Sequence, residues 1–430
     1  MTLSRRDLLK AGLATATWPS LGRAANRGKP KSRVIVIGAG FGGATCAKYL
    51  RTLSPTTEVL LIERRSSFLT GPFSNLVLAG LRSAESVTFN TETIGAAHGV
   101  KTLVDEVIVL DPVKLSVTTA NSGSFTADRI VVAPGVAMRW GMIEGLDATN
   151  SATMPHAWTG DGQVLELRDR LDAVPDGGTV LIGAPANPYR CPPGPYERAS
   201  LIAFLLSRSG RKNCKIIIAD AKDDFTKRAL FMLEWDALYP DMIEWLPRAQ
   251  GGEVVRVDTS TGEVWLRGAE KPIVTHLASI VPPQQAAELA TSSDLADESG
   301  WCPINPADFE SKKHPGVHVL GDATIAAPVP KSAFAANSQA KLCASAVAAR
   351  LNGWPAPEPR LLNTCYSFVS DTQAISVSAF YGAVDGRISV LSDGVSPLTG
   401  DTALRELEAE QAKAWYVSIT ADSFGLPHAE

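Results

Sequence analysis

The stretch Arg33-Val-Ile-Val-Ile-Gly38-Ala-Gly40-Phe-Gly-Gly43 decides the fold. Its first half is the short apolar run of a buried strand, and the residues behind it, Ala44 to Arg51, read as a helix. Between the two, each glycine of the G-x-G-x-x-G has a physical reason: Gly38 for the tight turn, Gly40 for close approach of a pyrophosphate, Gly43 for packing helix against strand. A phosphate seated there meets the free N–H groups of the helix N-terminus. A second strand, Glu58-Val-Leu-Leu-Ile-Glu63, ends in an acid 20 residues after Gly43, where a ribose hydroxyl is read. Arg64 and Arg65 follow, but Glu63 would repel a 2′-phosphate, so the pattern favours a plain adenosine.

Further along, two segments resemble those of flavin-dependent disulfide-reductase-like enzymes. Phe125-Thr-Ala-Asp128-Arg129-Ile-Val-Val-Ala-Pro134-Gly135 resembles the strand and turn that such enzymes place beside their cofactor. Val317-His-Val-Leu-Gly321-Asp322-Ala323 resembles their late Gly-Asp motif, which implies that the Asp322 carboxylate contacts a ribityl chain. With the glycine loop, these segments imply FAD rather than NAD in the first site. Asp322 also suits a helix N-cap before Ala323. The helix that opens at Pro330-Lys331-Ser332 would aim its N-terminus at the flavin's pyrimidine edge and stabilise the negative charge of a reduced ring, with Lys331 adding to that. A solvent-facing Lys331 is the plainer alternative.

The middle of the chain repeats the βα style without a nucleotide site. Gly178-Thr-Val-Leu-Ile-Gly183 and Cys214-Lys-Ile-Ile-Ile-Ala-Asp220 read as strands flanking a helix from Tyr196 to Arg208. The loop from Gly183 to Pro195 carries five prolines where a second pyrophosphate would need bare N–H groups. The expected fold is α/β, with two Rossmann-like domains and a smaller α+β C-terminal domain. Residues 33–144 with 276–354 form the FAD-binding domain, 145–275 the degenerate NAD-binding-like domain, and 355–430 the C-terminal interface domain. Within the last, Ile375 to Tyr381 and Arg387 to Leu391 read as a hairpin and Asp401 to Trp415 as a helix.

Composition narrows the partners. The 430 residues are 45% apolar and 20% charged, enough for large cores, and 41 basic against 45 acidic residues leave no cationic field for nucleic acid. Ser4-Arg5-Arg6-Asp7-Leu8-Leu9-Lys10, a mildly apolar stretch and small residues around Ala24 read as a twin-arginine signal over residues 1–25. Its apolar run is shorter than the ~20 residues a membrane span needs. The expectation is a periplasmic protein in a disulfide-permissive compartment that is not an integral membrane protein. Of six cysteines, Cys46, Cys214 and Cys343 read as core thiols and Cys302 as a loop thiol without a partner. Cys191 and Cys365 stand apart, in a proline-rich loop and just after the FAD domain. No C-x-x-C-H is present, so a haem has no attachment site of its own here.

The sequence resembles the flavoprotein subunit of flavocytochrome c sulfide dehydrogenase. The match is carried by Met154-Pro-His-Ala-Trp158, Tyr189-Arg-Cys191-Pro-Pro-Gly-Pro-Tyr-Glu197-Arg-Ala-Ser200, Trp301-Cys-Pro303, Pro330-Lys-Ser332, Ala336-Asn-Ser-Gln339 and Leu362-Asn-Thr-Cys365-Tyr-Ser367. The resemblance implies a redox-active disulfide between Cys191 and Cys365 beside the flavin, with the acid Glu197 near it. It implies a small sulfur substrate, sulfide oxidised to sulfur or polysulfide, and electrons passed to a c-type cytochrome docked at the C-terminal domain. Hydrosulfide would open the disulfide to a persulfide and a thiolate, and Glu197 would manage protons unless it is merely a surface acid in a first helical turn. One departure stands out. Family members with covalent FAD hold it through a cysteine in a Thr-Cys-Tyr-Leu-Ser-Asn loop, whereas this loop is Thr70-Gly71-Pro72-Phe73-Ser74-Asn75. Gly71 offers no sulfur, so the FAD is expected to be non-covalent. The rival readings are a sulfide:quinone reductase-like enzyme, which would need an amphipathic anchor, and a non-catalytic redox partner of a sulfur-oxidising complex.

Overall fold

The apolar run at the head of the glycine loop forms strand β1 (Ser32–Ile37), and helix α1 (Phe41–Leu53) follows the turn. The chain continues through β2 (Thr57–Glu63), β3 (Lys101–Val104) and β4 (Arg129–Val132). It then builds β5 (Thr179–Ala184), α2 (Gly194–Arg208), β6 (Lys215–Asp220), α3 (Arg228–Leu238), β7 (Ile243–Leu246) and β8 (Leu277–Ile280). After these come β9 (Val317–Val319), α4 (Ala333–Asn352), β10 (Arg360–Phe368), β11 (Ala374–Val384), β12 (Arg387–Val395) and α5 (Thr402–Phe424). The structure is a computed structural model and describes residues 31–425; the twin-arginine segment falls outside the described residues.

Three sheets organise the molecule. The first, ordered β9-β4-β1-β2-β3, is parallel throughout, so β1 lies between β2 and β4 and the glycine loop opens where the strand order reverses. The second, β7-β6-β5-β8, is parallel as well. The third, β10-β11-β12, is antiparallel. Strands buried on both faces read as unbroken apolar runs, which is why Val34 to Ile37 and Ile216 to Ile218 are legible in the sequence.

Four expectations need correction. A domain boundary at residue 276 would cut off β8, yet Leu277 to Ile280 is a buried run paired with β5, so the second unit runs on through Ile280. The C-terminal sheet holds β10 besides the expected hairpin, and β10 carries Cys365. Helix α5 runs on to Phe424 because its last turn is packed: Phe424 meets Phe41, Phe68 and Phe89, while Asp422 holds Lys48, Lys341 and Asn337. Cys302 is not in an open loop. It sits fully buried in a two-residue bridge, Cys302–Pro303, against Thr324–Ile325.

The buried side chains gather mainly into two cores. One packs β1, β4 and β9 against α1 and α4 and takes in Cys46 and Cys343. The other joins α2 and α3 to Phe368 of β10 and Tyr416 of α5 and takes in Cys214. Each fully buried large apolar side chain stabilises the fold by about 1.5–3 kcal/mol. The second core therefore locks the strand that carries Cys365 against the helix that follows Cys191.

Candidate active site

The glycine loop has the shape its sequence predicts. Gly38 takes φ +93°, and a β-carbon there would overlap the Ala133 carbonyl, as one at Gly43 would overlap that of Gly38. At Gly40 a β-carbon would meet nothing within 4 Å. Space therefore lies open in front of the N-terminus of α1, which has no side-chain cap. Such an uncapped end with a bare approach suits a pyrophosphate. Glu63 lies against this loop: its carboxylate accepts from the Ala39 N–H at 2.8 Å and the Arg65 N–H at 3.1 Å.

Across the sheet, Gly135 has φ +72°, and the Arg190 guanidinium lies 2.6 Å from where its β-carbon would be. Arg190 pairs with Asp322 (Nε to Oδ2, 2.6 Å), while the other carboxylate oxygen of Asp322 is buried without a hydrogen-bond partner. A buried acceptor left open on a charged group calls for a donor, and a ligand hydroxyl would supply one. These residues fit a flavin dinucleotide. Lys331 is not the plain solvent-facing lysine. Its ammonium donates to the carbonyls of Asp322 (2.7 Å) and Thr324 (2.8 Å) and lies 3.7 Å from the centre of the Trp301 ring.

The start of α4 brings Cys191 and Cys365 to one place. The Cys191 N–H donates to the Lys331 carbonyl at 2.8 Å. Ser332, the N-cap of α4, donates through its hydroxyl to Asn363 Oδ1 at 2.6 Å, and the Cys365 thiol donates to that same oxygen at 3.5 Å. Both cysteines are partly buried thiols. Burial first, then the nearby charges of Glu197 and Cys365, push the Cys191 thiol up to about 12.

Glu197 is not a surface acid. Its carboxylate accepts from Asn75 Nδ2 at 2.8 Å and from the Phe368 N–H at 2.9 Å, so it joins α2 to the end of β10. Burial raises its proton affinity against the pull of those donors and of Lys227 and Arg198. Arg198, only 1% exposed, bonds neutral acceptors: the carbonyls of His156 and Ala157, the Ser279 hydroxyl and Asn75 Oδ1. Lys227, 8% exposed, donates to Ser367 Oγ at 2.8 Å and to the Ile375 carbonyl at 3.3 Å.

Backbone strain collects here too. Phe73, Ala157, Cys191 and Lys227 all have positive φ, between +50° and +69°, at roughly 1–2 kcal/mol each. Strain of this kind persists where surrounding packing over-determines it. Asn75, Arg190, Arg198 and Lys227 escaped the sequence reading as site residues. The first three stand inside or beside motifs already quoted, but Lys227 carries no motif.

The middle domain's acid tells the opposite story. Asp220, at the end of β6, is wholly buried and binds the Tyr196 hydroxyl (2.6 Å), Trp245 Nε1 (3.0 Å) and Lys222 (2.5 Å). It is committed to packing rather than to a ribose.

Comparison with known proteins adds three family matches. Residues 164–282 match the central region of the sulfide dehydrogenase [flavocytochrome c] flavoprotein chain, and 357–424 match the flavocytochrome c sulphide dehydrogenase flavin-binding region. Residues 32–182 match the pyridine nucleotide-disulphide oxidoreductases. The sulfide dehydrogenase [flavocytochrome c] flavoprotein chain of Chlorobaculum thiosulfatiphilum is 58% identical over 45 residues, 10% of this chain and 94% of the relative. The mitochondrial sulfide:quinone oxidoreductase of Mus musculus is 22% identical over 320 residues, 71% of this chain and 68% of the relative. The sulfide:quinone oxidoreductase structure from Aquifex aeolicus superposes with a TM-score of 0.72 at 18% identity, covering 93% of each chain, and so shares the fold.

Proposed function

The chain belongs to the flavoprotein chains of flavocytochrome c sulfide dehydrogenase, flavin-dependent oxidoreductases acting on sulfide, and we propose that it works in the periplasm, oxidising hydrosulfide through a Cys191–Cys365 disulfide and reducing a c-type cytochrome. The observation that carries this reading is the shared anchorage of the two cysteines on Lys331 and Ser332 at the start of α4. Hydrosulfide attacks one sulfur of the pair. A bond forms to the incoming sulfur as the Cys191–Cys365 bond breaks, leaving a persulfide and a thiolate. Re-closure by itself would only return hydrosulfide; for the added sulfur to leave oxidised, the thiolate's electron pair must pass to a two-electron acceptor as the pair re-closes, so that hydrosulfide loses two electrons and one proton in all. Glu197 takes the proton, its affinity raised by burial.

Bound FAD would supply the acceptor for that electron pair, a two-electron carrier able to exchange single electrons with a haem. The glycine loop, Glu63, Gly135 and Asp322 would hold it, and without a covalent link at position 71, since Gly71 stands where linked family members have cysteine. The Asn75 side chain, fixed by Arg198 at 3.3 Å, keeps Glu197 in place.

Cytochrome is favoured over quinone as the acceptor because both matches specific to flavocytochrome chains fall on this sequence, one of them across β10 to α5. No helix among the described residues is long and apolar enough to cross a membrane. Mixing the sulfide-reduced protein anaerobically with a c-type cytochrome or with a soluble quinone tests this. Fast reduction of the haem alone is expected, and fast reduction of the quinone alone would overturn the assignment of the acceptor.

A further inference from the structure

Lys227 is a buried cation that the mechanism above does not use. It stands at the N-cap of α3 with φ +66°, a conformation that a lysine adopts at a cost. Its ammonium reaches across to β10 and β11, where both of its hydrogen bonds go to neutral oxygens, Ser367 Oγ and the Ile375 carbonyl. Among the described residues no carboxylate lies within ion-pair distance of it. A buried ammonium without a paired anion is costly, and burial lowers the Lys227 pKa to about 8; what retains its charge needs another explanation than local pairing.

The register of β10 supplies one. Cys365 and Ser367 are two residues apart on one strand and so point to the same face. Holding Ser367 therefore places the ammonium on the cysteine side of the strand, about 7 Å along it. Titratable groups face the site from every side: Glu197 of α2, Cys191 in the loop before it, Glu408 of α5 and Tyr381 of β11. Of these, Glu408 is already engaged by Arg405, Ser376 and Ser396. Glu197 is held by Asn75 and the Phe368 N–H. The unmatched positive charge thus faces the two thiols.

We propose that Lys227 is a positioning residue for the dithiol, holding its ammonium beside Cys365 to balance the negative charge that appears when the Cys191–Cys365 pair is opened. The inference rests on reading that pair as the redox centre, but not on sulfide being the reductant. Opening the pair with dithiothreitol creates the same charge, and the ammonium favours its appearance on Cys365. Arginine at the same position keeps the charge, and glutamine removes it.

The test uses the FAD-loaded protein reduced with dithiothreitol and alkylated with iodoacetamide across a range of pH, with each cysteine followed by peptide mass spectrometry. In Lys227→Gln the pH of half-maximal Cys365 alkylation is expected to rise by about one unit, a tenfold loss of thiolate at a given pH. Cys191 should shift less, and Lys227→Arg should restore Cys365. An unchanged Cys365 profile in a folded, flavin-loaded Lys227→Gln protein would overturn the proposal, as would a shift that Lys227→Arg fails to rescue. Should Lys227→Gln not fold, Ser367→Ala removes the anchor of the ammonium instead, and an unchanged profile there counts against the proposal equally. A protein that shows the shift yet is not reduced by sulfide would refute the functional reading while leaving Lys227's role intact.

Discussion

The backbone N–H of Cys191 donates to the carbonyl of Lys331 at 2.8 Å. That one bond fastens the loop ahead of α2 to the residue before the N-cap of α4, and Ser332 next to Lys331 fastens Cys365 through Asn363. Two segments far apart in sequence are thereby referred to one helix end. Dithiol chemistry needs such rigidity, because exchange depends on which sulfur can be reached and from which side.

The loop at Gly71 gives the first prediction. No cysteine is available there, so precipitating the protein with acid should leave a colourless pellet and a yellow supernatant; a yellow pellet would mean that the flavin is linked elsewhere. A β-carbon at Gly71 would meet nothing within 4 Å. Gly71→Cys should therefore fold with a denaturation midpoint close to that of the parent.

Asp322 is expected to matter for holding the cofactor. Asp322→Ala removes an acceptor with one unpartnered oxygen and leaves Arg190 without its carboxylate. Weaker FAD binding by about tenfold or more should follow, measured as flavin lost on desalting. Full retention would remove Asp322 from the cofactor site.

For Glu197 the sign of the pH effect is fixed by burial, which raises its proton affinity in the fold above that of the unfolded chain. The folded protein then binds more protons between the two values, so stability falls as pH rises through that interval. Glu197→Gln should flatten this part of the stability profile. It should also lower kcat/KM for sulfide about 100-fold and delete one arm of the pH-rate curve. An unaltered rate profile would exclude Glu197 from proton transfer.

Stability of the C-terminal unit depends on a buried ion pair. Arg405, 1% exposed, meets Glu234 of α3 at 2.6 Å and Glu408 at 3.3 Å. Arg405→Ala strands two buried carboxylates and should cost about 3 kcal/mol or more, read from urea denaturation. A loss under ~1 kcal/mol would show that the pair is dispensable.

Much of this was legible from local pattern. The strand-glycine-helix join, the second strand ending in Glu63 and the buried runs of the middle sheet all follow from periodicities that neighbouring residues carry themselves. The prolines between Gly183 and Pro195 are equally legible, whereas the engagement of Asp220 by Tyr196 and Trp245 is a tertiary fact that its own segment does not announce. β10 was missed because Arg360 to Phe368 mixes polar residues into a strand whose partners lie on both α2 and α4. Glu197 gave no sign of its burial, since an acid in a first helical turn has the same sequence whether it faces water or Asn75. Lys227 was wholly illegible: its meaning lies in Ser367 and Cys365, about 140 residues away.

Anaerobic titration of the purified, FAD-loaded protein with sulfide alone tests the central claim most directly. A stoichiometric amount of sulfide should bleach the oxidised flavin band of the parent protein, and the band should persist in Cys191→Ser and in Cys365→Ser, both folded and loaded. Bleaching that proceeds in both variants as in the parent, or its absence in the parent, would contradict sulfide oxidation through this pair.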